Sequence, residues 1–369
     1  MLKVTVDLGA IRHNYRVLQD ICPNEMMPVV KADAYGHGII QVSKALADQG
    51  AGAFAVGTVS EGLSLKKSLV GVEIYSLLGP YTDEDYHEVA VSGIIPVIHS
   101  WEQLSRMAQH VYSGDRVKVG LKFDTGMGRL GFQPGDAARL CDFFKGSRRL
   151  SLEIVSSHLA CADGPEYARQ VLKQVETFEA VCRRFDQAGL GHKKSLANSP
   201  AIFNYPGAWG DIVRPGIALY GGNPFAGTSW AEKGRCLRPA MKVTAPVLSV
   251  HSLPKGKGIS YGLTFTAPRD MQVAIVGCGY ADNYPRFLSN RSWMLFQGQR
   301  LPVAGRVCMQ MTAVDASFVP GISAGDEVFV LGGDGQGDID VHELAGWWRT
   351  MSYEVFCMLG KNEKIFVDS

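Results

Sequence analysis

At 369 residues the chain is long enough for about two domains and a sizeable core. Hydrophobic residues make up 46% and charged residues 20%, and 37 basic against 36 acidic side chains leave a formal net charge of +1. That balance supplies no electrostatic footprint for nucleic acid or an anionic membrane, and no apolar stretch approaches the length of a spanning helix. "MLKVTVDLGAIRHNY" lacks the apolar core of a signal peptide, and eight cysteines without a C-x-x-C pair read as free thiols rather than disulfides or a metal site. The expectation is a cytoplasmic protein.

In chain order, "LKVTVD" (2–7) is the first strand-like segment. From residue 26 to 221 a unit then recurs: a short apolar run, a polar or Gly-rich turn, and a helical pattern. The runs are "MPVV" (27–30), "AFAV" (53–56), "EIYSLL" (73–78), "IIPVI" (94–98), "VKVGLKF" (117–123), "LEIVSSHL" (152–159), "KSLAN" (194–198) and "DIVRPGIALY" (211–220). Between them lie segments such as "GIIQVSKALADQG", apolar at 39, 42, 45 and 46 with Gly50 as a stop. Strands alternating with helices imply a parallel sheet, and eight units fit a closed (β/α)8 barrel. Spacing alone leaves a doubly wound open sheet as the alternative. After about residue 230 the pattern becomes β-rich, with helical periodicity mainly in "DVHELAGWWRTMSYEV" (340–355), so a second domain is expected there, joined by strand 2–7.

Two glycine-rich segments invite misreading. "GMGRLG" (126–131) satisfies G-x-G-x-x-G, but it follows the fifth run and leads into Pro134 and Gly135, which break the helix that a dinucleotide fingerprint must open. "GGDGQGDID" (332–340) hints at calcium, but a single glycine-rich turn explains it. The ends of the apolar runs are more informative. Lys31 ends the first run, where a charged side chain is costly to bury, and Tyr35 follows. Lys122 and Arg129 bracket the end of the fifth run, His158 ends the sixth, Ser199 follows the seventh, and Arg214 and Gly216 lie in the eighth. In a barrel these positions fall together at the C-terminal face, where active sites are built.

The segments "VVKADAYGHG", "LKFDTGMGRLGF", "SSHLACAD", "LANSPA", "RPGIALYG", "ISYGLTFTA", "GYADNYPR" and "AGRVCM" resemble, in order and spacing over nearly the whole chain, those of the alanine racemases. These are pyridoxal 5'-phosphate (PLP) enzymes of fold type III. The resemblance implies an α/β fold: an N-terminal (β/α)8 TIM-type barrel over residues 9–230, then a C-terminal β-rich domain over 231–369 that takes in strand 2–7. It implies that Lys31 carries the cofactor as a Schiff base, that Tyr35, Ser199, Gly216 and Ile217 surround its phosphate, and that Arg214 faces the pyridine nitrogen. Lys31 and Tyr261 become the two bases on opposite faces of the substrate α-carbon, with His158 and Arg214 in a network around Tyr261.

Arg129 would hold the cofactor's phenolic oxygen and the substrate carboxylate. Tyr261 and Met309 of each chain would complete the site of the partner in a head-to-tail homodimer. Lys122 matches a lysine often found carbamylated; the alternative is an unmodified lysine paired with an acidic neighbour. The implied reaction is interconversion of L- and D-alanine, supplying D-alanine to peptidoglycan. A racemase for serine or a broader range of amino acids is the nearest alternative. A non-catalytic PLP-binding protein would lack the β domain, and a decarboxylase expects a catalytic cysteine context that Cys308 and Cys357 do not occupy. The chain departs from the usual family pattern at Ser195, where many members have histidine, at Gln310 in "VCMQ", and at Lys361 in "LGKNEKIF".

Overall fold

The computed structural model describes residues 2–111 and 116–369. Residues 11–34 and 39–238 form one compact unit. The chain up to Ala10, residues 35–38 and residues 239–369 form the other, which includes the first strand, β1 (Lys3–Asp7).

The first unit is built from β2 (Glu25–Met26), β3 (Ala53–Val56), β4 (Glu73–Ser76), β5 (Ile95–Ile98), β6 (Val117–Lys122), β7 (Leu150–Ser156), β8 (Lys193–Ser195) and β9 (Ile212–Val213). Strands β3 to β8 form a parallel sheet in chain order, and β2 pairs with β9, also in parallel. Single bridges, Val29 to Ala55 and Asn198 to Arg214, join the two sets and close an eight-membered ring. The alternative of an open doubly wound sheet is thereby excluded. β3 and β5 are buried along their whole length, as strands covered on both faces must be. The run 211–220 is less regular than its apolar character suggests. Its strand stops at Val213, because Pro215 has no N–H to give, and the chain turns at Gly216 into a short 3-10 helix, Ile217–Tyr220.

Several of the covering helices start on side-chain caps. Thr58 opens Val59–Lys66 and Thr82 opens Asp83–Ser92, each with a reciprocal acidic residue at the third position, and Ser100 opens Trp101–His110. The longest helix, Ala168–Gln187, buries Val171, Gln174, Phe178, Val181, Cys182 and Phe185, a stripe at helical spacing.

In the second unit, β10 (Met241–Leu253) is the spine. It pairs with β1, with β13 (Met271–Val276) and with β17 (Glu327–Leu331), all antiparallel. Ahead of β13 lies the short hairpin of β11 (Gly258–Ile259) and β12 (Phe265–Thr266). β14 (Trp293–Phe296) and β15 (Gln299–Pro302) form a two-residue hairpin through Gln297 and Gly298, both with positive φ. β16 (Thr312–Asp315) pairs with β13, and β18 (Lys364–Val367) lies parallel to β1. Leu253, Ala267, Met271, Val273 and Ala313 make a core cluster in this unit. The helical pattern over 340–355 resolves into two helices, Val341–Trp348 and Ser352–Leu359. Arg349 breaks it in the left-handed conformation (φ 59°). Thr350 N–H returns to the Ala345 carbonyl at 2.9 Å and seals the end of the first helix. Among the described residues no helix is long and apolar enough to cross a membrane.

Candidate active site

The chain leaves the buried Val30 at Lys31 and then does something costly. Ala32, Asp33, Ala34 and Tyr35 all have φ between 52° and 56°, a left-handed turn of non-glycine residues. Each such residue costs about 1–2 kcal/mol, so the turn persists only because its surroundings hold it. Ala34 N–H bonds the Val30 carbonyl at 2.8 Å, Ala32 N–H bonds Glu61 Oε1 at 2.7 Å, and Asp33 Oδ1 accepts from Ile39 N–H at 2.8 Å.

β6 ends at Lys122. The G-x-G-x-x-G segment beyond it is a turn, not the start of a helix. Asp124 Oδ1 gathers the N–H groups of Gly126, Met127 and Gly128 at 3.0, 2.9 and 3.0 Å. Gly131 has φ 141°, and a Cβ there would lie 2.5 Å from the Asp124 nitrogen, so only glycine closes the turn. Arg129 stands on this turn, exposed.

Arg214 is buried, and among the described residues no carboxylate hydrogen-bonds to it. One guanidinium nitrogen donates to Ser195 Oγ, and the other to the Ser157 carbonyl at 2.5 Å. Ser195 Oγ itself donates to the Ile212 carbonyl at 2.7 Å, which turns its lone pairs toward the guanidinium. Burial lowers the Arg214 pKa to about 10, still high enough for a full charge at neutral pH. Ser199 Oγ accepts from Gly216 N–H at 2.9 Å and Ala218 N–H at 3.3 Å, which leaves its hydroxyl proton to give; Ile217 between them is buried.

The charges of these groups act on one another. Burial, then Arg214, Arg129 and Lys31, bring the Lys122 ammonium down to about 8, and Asp124 opposes them less strongly than any of the three. His158 lies just beyond β7, its carbonyl held by Gln174 Nε2 at 3.1 Å. Burial drives its imidazole well below the usual histidine range, and Arg214, Lys122, Arg129 and Lys31 push it further, so it is neutral. Lys31, Lys122, Arg129, His158, Ser199, Arg214, Gly216 and Ile217 therefore gather at the C-terminal ends of the barrel strands. They form a cationic cluster with hydroxyl and amide donors beside it. The positive charge gathered here outweighs the opposing Asp124, which suits a phosphate ester together with an amino-acid carboxylate, and so fits PLP and its substrate.

The other expected residues lie in the β-rich unit. Tyr35 is buried there with its ring 5.8 Å from that of Tyr353; burial, then Tyr353 and Cys357, push its phenol up. His37 has a local role, with Nδ1 3.0 Å from the Tyr35 carbonyl and its ring edge-on to Phe356. Tyr353 was not singled out by sequence, because the pattern over 340–355 reads as one continuous helix and hides the break that presents it. Tyr261 and Met309 are 64% and 57% exposed. They stand on adjacent loops, tied by Ser260 Oγ, which donates to the Arg306 carbonyl at 2.6 Å and lies 3.3 Å from Cys308 Sγ.

Residues 6–224 match the family model for the alanine racemase N-terminal domain, and residues 240–366 match that for the C-terminal domain. An alanine racemase of Nitratidesulfovibrio vulgaris (strain DSM 19637 / Miyazaki F) is 46% identical over 363 residues, spanning 98% of this chain and 97% of the relative. The crystal structure of the biosynthetic alanine racemase from Pseudomonas aeruginosa superposes with a TM-score of 0.88 at 34% identity, covering 99% of both chains. That of alanine racemase from Bartonella henselae, with covalently bound pyridoxal phosphate, gives 0.88 at 31% identity over 99% of both. With both domain models matched in turn along the chain and relatives of this identity aligned over almost all of its length, the chain belongs to the alanine racemase family.

Proposed function

We propose that the protein interconverts L-alanine and D-alanine with PLP, using Lys31 and Tyr261 as the two bases. The observation that carries the reading is the convergence of Lys31, Lys122, Arg129, His158 and Arg214 in one cationic cluster. Lys31 is the covalent anchor of the cofactor. Tyr35, Ser199 and the backbone at Gly216 and Ile217 hold the phosphate, and Arg214 donates to the pyridine nitrogen. When bound, PLP supplies a conjugated ring that draws negative charge away from the substrate α-carbon. Because arginine does not give up its proton, Arg214 limits that withdrawal, which favours brief deprotonation over transamination.

Arg129 fixes the substrate carboxylate, so the α-carbon presents one face to Lys31 Nζ and the other to Tyr261 Oη. One base takes the α-proton while the other, protonated, returns a proton to the opposite face. The exposure of Tyr261 and Met309 supports their use by a second chain, in a homodimer whose β-rich domains (231–369 with strand 2–7) complete the partner's barrel site (9–230). The lowered Lys122 leaves about a tenth of it neutral at pH 7, ready to add to carbon dioxide. The amine nitrogen bonds the carbon, one C=O π pair moves onto oxygen, the nitrogen's proton leaves to solvent, and the resulting anionic carbamate can orient Arg129. In this reading the enzyme works in the cytoplasm and provides D-alanine for peptidoglycan.

The test is exchange of deuterium at the α-carbon, run separately from each enantiomer of alanine and of serine. Both alanine enantiomers should exchange and interconvert, and Tyr261→Phe should lose abstraction from L-alanine while keeping bound cofactor. Faster turnover of serine than of alanine would instead favour the broader racemase, and an unchanged L-to-D rate in Tyr261→Phe would remove that residue from the chemistry.

A further inference from the structure

Glu61 is the third residue of the helix Val59–Lys66 and the acidic half of its capping box. In a capping box the acid returns to the backbone N–H of the cap residue, and Glu61 Oε2 does so, bonding Thr58 N–H at 3.2 Å. The same oxygen also takes Gly57 N–H at 2.7 Å, while Oε1 crosses to another strand end and takes Ala32 N–H at 2.7 Å. One carboxylate thus binds three backbone donors, two after β3 and one beside Lys31. Asp85 in the helix Asp83–Ser92 performs the cap alone: its carboxylate bonds Thr82 N–H at 3.2 Å and Tyr81 N–H at 3.0 Å. An aspartate suffices for a cap, and the extra methylene of Glu61 serves the reach to Ala32.

Packing gives a second, independent observation. Gly57 has no side chain, and a Cβ there would lie 3.0 Å from Glu61 Oε2 and 3.5 Å from Lys31 Cβ. The Lys31 stem, the Gly57 backbone and the Glu61 carboxylate are therefore in close packing. The segment fastened this way is the left-handed turn from Ala32, which gains nothing from its own dihedrals.

We propose that Glu61 is a positioning residue that holds Lys31 in its reactive place by clamping the left-handed turn at Ala32 to the end of β3. The proposal rests on the assignment of Lys31 as cofactor anchor. Its role goes beyond stabilising a helix end: without the clamp the turn relaxes toward ordinary dihedrals and Lys31 leaves its aim, and misplacement by about 1 Å can cost up to about a hundredfold in rate.

The experiment compares Glu61→Asp, Glu61→Gln and the parent as full-length proteins. Each is stripped of cofactor and mixed with PLP, and attachment is trapped by borohydride and assigned by peptide mass spectrometry. Thermal melting, kcat and KM for alanine are measured alongside. Glu61→Asp retains the cap, so it should melt within a few degrees of the parent while attaching PLP at Lys31, and turning over, about tenfold more slowly at little-changed KM. Glu61→Gln should lose at least as much rate. Attachment at Lys31 with parental rates in both variants would overturn the role of Glu61 and leave Lys31 in place. Attachment of the parent at a different lysine would overturn the Lys31 assignment and the clamp with it.

Discussion

Arg214 keeps its charge in the interior on neutral partners, the Ser195 hydroxyl and the Ser157 carbonyl. A buried guanidinium of this kind depends on every acceptor it has, and losing one leaves a donor without compensation at about 1–3 kcal/mol. Ser195→Ala removes one acceptor and the lock that Ser195 forms with the Ile212 carbonyl. The variant should melt several degrees lower and bind PLP more weakly, as read by thermal melting and by titrating the cofactor-free chain. Unchanged values for both would show that Ser195 does not support Arg214. Sequence identified position 195 as a departure from the family pattern but could not say what a serine does there. Donation to the Ile212 carbonyl and acceptance from Arg214, both on the neighbouring run, are set by which strands lie side by side, which no local pattern encodes. Lys31 was legible for the opposite reason: an ammonium closing a buried apolar run is anomalous on local grounds alone.

The turn between β6 and the following helix is organised by one carboxylate. Burial would raise the Asp124 pKa, but the N–H groups of Gly128, Gly126, Met127 and Arg129 outweigh it and hold the value below the usual aspartate range. A depressed folded-state value means that the contribution is complete above the unfolded pKa of about 4 and is lost as pH falls through the folded one. Asp124→Asn should therefore melt about 2–4 °C lower at pH 7, with the gap closing as pH falls through the lowered folded-state value. A gap independent of pH would assign the loss to shape rather than charge. At this scale most barrel strands were readable, since alternating apolar runs and capped helices announce themselves. Three features were not. The left-handed turn after Lys31 uses alanine and aspartate, which do not advertise positive φ. Arg349 breaks a helix without glycine or proline, and β18 is four residues long with a lysine in its run.

For the whole molecule, the exposed pair Tyr261 and Met309 leads to a test by mixing. Lys31→Ala and Tyr261→Phe chains should each be nearly inactive. If every site takes its lysine from one chain and its tyrosine from the other, a mixed dimer has one site with both lesions and one with none. Random exchange of equal amounts should then recover about a quarter of the parental activity. No recovery, with mixed dimers present, would mean that each chain completes its own site. The sheet of the β-rich unit has a further consequence, in the order of assembly. β1 lies between β10 and β18, so a strand made before the barrel has both neighbours at residues 241 and beyond. As the chain emerges from the ribosome, the barrel between can gather its strands in turn, while residues 3–7 wait with both backbone edges unpaired. The sheet is finished only when the last strand, Lys364–Val367, is released beside the first.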